Sequence, residues 1–374
     1  MEIELRGRLV VSPVAGDDWA KTVAVYRAPA KDRRPDPAHV AAFARDYEAL
    51  GFDSILVNQR SSYADPWVTA TWAAAATEKL RIAVAHRVGL QAPTSAARSF
   101  ASLDVMSGGR AAVHIIQGST DEDMQRDGDF LPKPERYRRA GEFMQIFMRE
   151  LLSPDPFDFD GSFYKVRNAW SSVRPVSLPH PPVSAAGASE EGIAFCSEHA
   201  DIYAMMGESL AGTRQLVERV RAAAASKGRT LRFWRDCNFI MAATDEDAWR
   251  KAHAIVATIE GAGDTYTMWE TASKAGPANI DDLQSVGHRR ALAEGAGDDP
   301  TLFYGAARAV GGAAGPAFVG SPATVAGAVL EFCKLGVEIL TIGAPIDSIE
   351  DRRLLTELTD RIRTGARQIP PASG

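Results

Sequence analysis

Between Leu103 and Phe143 the chain changes character repeatedly, and this stretch limits the folds open to it. Leu103–Met106 reads as the end of a helix, stopped by Ser107-Gly108-Gly109, where glycine permits the positive φ of a helix exit. Ala111–Ile116 is a short apolar run of strand length that carries one imidazole, His114. A polar, acidic loop follows, and Pro134-Glu135-Arg136-Tyr137 opens a long amphipathic helix. Helix, glycine stop, buried strand and long loop make the rhythm of one unit of a parallel α/β barrel.

The same unit can be traced along the chain. Strand one is expected at Leu9–Val14. Asp36 is a good N-cap with Pro37 at the first helical position, and Val40, Phe43, Tyr47 and Leu50 follow at helical spacing until Gly51. Further strands are expected at Ser54–Val57, Arg81–Ala85, Ala111–Ile116, Val183–Ala186, Asp201–Met206, Leu231–Ala242 and Glu338–Ile342, each with a helix after it. Eight such units predict an α/β fold of a single domain over residues 1–374, a (β/α)8 TIM barrel with insertion segments. Two stretches stand outside the repeat. Residues 153–181 are proline-rich and read as a surface excursion, and Gly261 to Gly315 reads as a glycine-rich mobile lid over the barrel mouth.

Composition narrows the function. A net charge of −6 argues against a nucleic-acid partner, whose phosphates need a basic surface. Cys196, Cys237 and Cys333 are too few and too scattered for a disulfide framework or a zinc site, and are expected as buried thiols in a reducing cytoplasm. No apolar run is long enough to span a membrane, and the charged N-terminus lacks a signal peptide's apolar region. No P-loop, nucleophile elbow or dinucleotide fingerprint occurs.

Barrel chemistry lies at the C-terminal ends of strands, so candidates come from the loops there. Gly187-Ala188-Ser189 is a small-residue turn at a helix start; it is either a simple N-cap or a phosphate site. Arg136 and Tyr137 begin the helix after strand four and are candidates for the same anion. His114 is either a satisfied core histidine or a hydrogen-bond partner for a planar ring, and Asn58 and Gln59 offer amides beside it. Tyr63, Trp67, Trp170 and Trp234 are candidates for an aromatic pocket. Asp121, Glu122 and Asp123 are expected as a solvated acidic loop rather than a metal site.

Several motifs, in this order and spacing, resemble the luciferase-like flavin monooxygenases, most of all their alkanesulfonate monooxygenase branch. They are SGGRA at Ser107–Ala111, DGDF at Asp127–Phe130, Glu135-Arg136-Tyr137 with Glu142-Phe143, ADPW at Ala64–Trp67, TDEDAW at Thr244–Trp249, SVGHRRALAEG at Ser285–Gly295 and VGSPATVA at Val319–Ala326. The resemblance implies a barrel that binds reduced FMN (FMNH2) from a separate NAD(P)H:flavin reductase, uses O2 to oxygenate a small organic substrate, and assembles as a homodimer or homotetramer. It places Arg136, Tyr137 and Ser189 around the FMN phosphate, which makes Gly187 and Ala188 of the same turn cofactor-binding candidates, and it places Asn58, Gln59 and His114 at the ring.

On the substrate side the chain departs from that branch. Tyr63 stands where its members carry cysteine, Asp236 and Asn238 where they carry arginine and histidine, Val310 or Gly311 at the flap arginine, and Pro345 near a tyrosine. Arg235 has the wrong strand parity to replace the lost cation. The substrate pocket of Tyr63, Trp234, Asp236 and Asn238 is therefore expected to take a neutral or cationic molecule. Alternatives are a desulfonating monooxygenase, a deazaflavin-dependent oxidoreductase and a non-catalytic flavin-binding barrel.

Overall fold

The computed structural model describes residues 1–14, 23, 34–118, 121–261, 302–309 and 315–370. Its elements are β1 (Glu4–Arg8), α1 (Pro37–Ala49), β2 (Ser54–Val57), α2 (Pro66–Ala76), β3 (Arg81–Arg87), α3 (Pro93–Ser107), β4 (Ala111–Ile116), α4 (Asp121–Gln125) and α5 (Lys133–Leu152). They continue with β5 (Phe157–Asp160), β6 (Lys165–Ala169), β7 (Val183–Ala186), α6 (Glu190–His199), β8 (Ile202–Met205), α7 (Leu210–Ala225), β9 (Arg232–Met241) and α8 (Asp245–Gly261). The last are β10 (Leu302–Phe303), α9 (Gly305–Ala309), β11 (Ala317–Gly320), α10 (Pro322–Lys334), β12 (Val337–Gly343) and α11 (Ile349–Ala366).

Eight parallel strands close in the order β1-β2-β3-β4-β7-β8-β9-β12, and β12 returns to β1 with Arg6 beside Thr341. This is the expected TIM barrel. Local chemistry accounts for the helix starts: Asp36, Asp65, Ser189, Ser209, Ser321 and Ser348 each accept a backbone N–H as N-cap. Gly108, at φ 70°, closes α3 in the left-handed conformation that glycine adopts without strain. No described helix is long and apolar enough to cross a membrane.

Besides a rim cluster around Ile240, Ile255 and Val319, two regions of packing result. Outward side chains such as Leu5, Ile55, Val84, Val113 and Phe233 join the inner faces of the helices in one apolar layer. A smaller cluster inside the barrel joins Leu56, Ala83, Ala85, Ala112, Ile202, Ala204, Trp234 and Ile339. The lumen is also charged: Glu4 and Arg6 are buried there, paired with each other and with Ser54.

That charged lumen corrects the expected first strand. β1 is Glu4–Arg8, not Leu9–Val14, because it alternates charged residues inward with Leu5 and Gly7 outward, and Gly7 lies against the Tyr47 ring. Leu9–Val14 is not strand. β9 matches the strand expected at Leu231–Ala242 to within a residue at each end, and it outruns the barrel. Asn238–Met241 pairs in parallel with β11, so β11 and α10 form an extra strand and helix on the rim. The 153–181 excursion carries an antiparallel hairpin, β5 with β6. The expected lid lies mostly outside the described residues; its described parts are Gly261 at the end of α8, β10, Tyr304, α9 and Gly315.

Candidate active site

The site can be built up through the lumen toward the C-terminal mouth. At the base, burial alone would raise the Glu4 carboxyl, but Arg6, Ser54 and Arg81 together hold it below its usual range. Arg6 lies over the Trp234 ring at 4.3 Å, and the Trp234 indole donates to Thr341 Oγ1 at 2.5 Å. His114 meets Trp234 edge-on, with centroids 4.8 Å apart.

His114 Nδ1 lies 3.0 Å from Ser184 Oγ, and Ser184 donates its one hydroxyl proton to the Val113 carbonyl at 3.1 Å. With the hydroxyl donating to Val113, Nδ1 carries the ring proton and Nε2 keeps a lone pair. Burial pushes the His114 pKa down to about 3, the Arg6 charge adds to this, and the Ser184 contact opposes it. His114 is a neutral imidazole.

One turn higher, Asp236 and Asn238 face the mouth from β9. Asp236 is not a lone carboxylate. Arg8 at the end of β1 pairs with it and also approaches Asn238 Oδ1 at 3.4 Å. Burial disfavours the Arg8 cation, but the Asp236 carboxylate outweighs this and holds its pKa above the usual value. Asn238 donates to the Gly315 carbonyl at 3.1 Å. Sequence reasoning missed Arg8; its signal was the inward parity of Glu4, Arg6 and Arg8 on one strand. Arg235 does point outward as its parity requires, fully buried against Phe318 and Phe332.

On the opposite side, Ser189 caps α6 by accepting the Gly192 N–H at 3.2 Å. Tyr137 bonds to Ser189, and burial pushes its phenol well above the usual tyrosine range. Gly187 has φ 151°, and a Cβ there would lie 2.5 Å from the Tyr137 hydroxyl and 2.8 Å from Gly192 Cα. Tyr203 donates to the Gly187 carbonyl at 2.9 Å. Gly187, Ala188, Ser189 and Tyr137 thus converge on a helix start with unused backbone N–H groups. Arg136 is turned away: it is buried and donates to Asp121 and to the Leu131 carbonyl, both at 2.8 Å.

The remaining candidates scatter. Gln59 accepts the Arg87 backbone N–H at 2.5 Å, while Asn58 is exposed. Tyr63 sits on the rim with Arg60 at 5.9 Å from its ring. Trp67 packs outside the barrel on His86 and Phe100, and Trp170 is an exposed residue of the excursion, so neither joins Trp234 in a pocket. The acidic loop is not simply solvated: Asp123 is buried, bonding Ser61 at 2.6 Å and Arg87 at 2.8 Å. No cluster able to hold a metal ion occurs among the described residues. All three cysteines are free and buried.

The sequence matches the luciferase-like monooxygenase family over residues 19–338, most of the chain. The chain belongs to the luciferase-like monooxygenase family. Solved structures agree on the fold. EDTA monooxygenase from Chelativorans sp. BNC1 superimposes with a TM-score of 0.75 at 17% identity, over 100% of this chain and 96% of that one. A riboflavin lyase solved with modified FMN and riboflavin gives 0.73 at 18%, over 100% and 93%. An F420-dependent secondary alcohol dehydrogenase bound to an F420-acetone adduct gives 0.68 at 14%, over 97% and 100%. For a luciferase-like enzyme, Arg8 and Asn238 at the top of the polar column, together with the Gly187–Ser189 turn, lie toward the strand ends where barrel chemistry is done.

Proposed function

We propose that this chain is the oxygenase component of a two-component, reduced-FMN-dependent monooxygenase that uses O2 on a small organic molecule. The convergence of Gly187, Ser189 and Tyr137 at the start of α6 carries the reading. A dianionic phosphate suits unused backbone N–H groups, a hydroxyl and a phenol better than any neutral ligand does. The bound reduced flavin would supply the electrons for dioxygen reduction, from a separate NAD(P)H:flavin reductase. The chain's own residues bind and orient. His114 offers a neutral Nε2 acceptor to a ring N–H, and the buried Trp234 and alanines of the lumen keep water from beneath it.

The substrate places itself at the Arg8–Asp236–Asn238 end of the mouth, and alkanesulfonates are not expected to turn over. A sulfonate needs an aimed cation, and here the charge of that cation is offset by a carboxylate. Titration of the anaerobic protein with FMNH2, followed by oxygen uptake, tests the cofactor. Binding of reduced deazaflavin with indifference to FMNH2 would favour the oxidoreductase alternative, which the F420-dependent structural neighbour keeps in view. Sulfite release from an alkanesulfonate panel would overturn the substrate assignment.

A further inference from the structure

We propose that Arg8 and Asp236 form a donor–acceptor edge that selects neutral substrates bearing a carboxamide, lactam or urea group. The inference rests on the reading of this mouth as the substrate end of an oxygenase, and it names the substrate class more narrowly.

The pairing between the two side chains is one-armed. Arg8 meets Asp236 through Nη2 and Oδ1, and Nη1 leans toward Asn238. Among the described residues, the second Asp236 oxygen and the Arg8 Nε–H have no protein partner, and both side chains keep about a quarter of their surface accessible, 28% and 26%. The pair therefore keeps one N–H donor and one carboxylate acceptor that no described residue takes. Asn238 is not free to fill either, because its Nδ2 is held by the Gly315 carbonyl.

Elementary complementarity then ranks the ligands. A carboxylate or sulfonate brings acceptors only, and one of them must face the Asp236 oxygen. An amidinium brings donors only, and one must face Arg8. A planar amide brings a C=O for Arg8 and an N–H for Asp236, and satisfies both without adding charge. The pair is close to neutral as a unit, so it offers no net attraction to either ion, while two aimed hydrogen bonds discriminate strongly when their loss leaves buried groups unpaired.

Three probes of nearly the same shape test this: benzamide, benzoate and benzamidinium, titrated calorimetrically into the protein with and without FMN. Benzamide should bind the unaltered protein at least about tenfold more tightly than either ion, the cost of about one mispaired charged group. Asp236→Asn frees the Arg8 charge and should shift the preference to benzoate; Arg8→Gln should shift it to benzamidinium. The double variant should lose the amide preference without gaining either ion. A preference of the unaltered protein for benzoate or benzamidinium, binding of no probe, or an order unchanged in folded single variants would overturn the proposal. The ranking on the unaltered protein decides the matter even where a variant fails to fold. FMN fluorescence in the same samples reports separately: absent FMN binding with amide preference intact sinks the flavin reading alone.

Discussion

At Gly187 the backbone itself leaves no room for a side chain. Its φ of 151° is one that L-residues rarely adopt, and the nearest obstacle beyond the Tyr137 hydroxyl is the Cα of Gly192, which belongs to a capped helix and cannot swing aside. Gly187→Ala should cost about 1–3 kcal/mol through strain and overlap together, read as a lower urea midpoint, and should weaken FMNH2 binding in parallel. Gly228, at φ 67° with nothing within 4 Å, is the control: its alanine variant carries the conformational cost alone and leaves cofactor affinity unchanged. Equal losses in both variants would remove Gly187 from the phosphate site. Ser189→Asp keeps the helix cap, since aspartate also accepts an N–H there. It places a carboxylate where the phosphate is proposed, and should weaken FMNH2 binding by about 1–3 kcal/mol. An unchanged titration would place the phosphate elsewhere.

At the scale of elements, Arg235 joins β9 to the rim unit of β11 and α10. Its guanidinium lies 4.9 Å from the Phe318 ring and 4.1 Å from Phe332, and donates to the carbonyls of Glu208 and Asp236 and to Cys237 Sγ. Arg235→Leu strips these acceptors of their donor and should destabilise the fold by about 2–4 kcal/mol. Arg235→Lys should restore less than half, because a compact ammonium cannot serve both carbonyls while lying flat between two rings. Urea unfolding of the two variants decides it; a lysine as good as the arginine would mean that charge alone matters. The same elements show what a sequence can disclose. β2, β4 and β7 were legible to the residue because strands buried on both faces are short apolar runs between helix stops. β1 was not, because its inward residues Glu4, Arg6 and Arg8 look like surface until Trp234 and Asp236 are seen across the lumen. β11 and α10 escaped for another reason: Ala317–Gly320 forms a strand by pairing with the overhang of β9, which no local pattern records. At the site, the convergence of Tyr137 and Ser189 was legible through turn chemistry and family resemblance. The Arg8–Asp236 pair, with 228 positions between its members, was not.

Across the whole molecule, the fold holds its interior imidazoles neutral. Burial pushes His86 down to about 4 and His114 to about 3, the latter helped by Arg6, while burial also lowers His39 and, against the pull of Glu198, His199. In the unfolded chain these side chains return to about 6.5. Above that value both states leave them neutral and they do not affect stability. Below it the unfolded chain takes up protons that the folded one refuses, so stability should fall as pH drops from 6.5 toward 4, by up to about 1.4 kcal/mol per pH unit for each withheld proton. The carboxylates with lowered values, Glu4 and Asp129 among them, act in the same direction but lower, their contribution being lost only as pH falls below the ordinary carboxylate range. Between pH 5 and 6.5 the histidines should therefore dominate the slope. His86→Gln keeps an acceptor for the Trp67 indole, now 3.3 Å from Nδ1, and His114→Asn keeps a donor for Ser184. Each should flatten the dependence of unfolding free energy on pH by nearly one proton over that window, and the double variant by nearly two. Denaturant unfolding at half-unit pH steps measures it, and a slope left intact by both replacements would mean that the imidazoles inside and around this barrel titrate as they do in water.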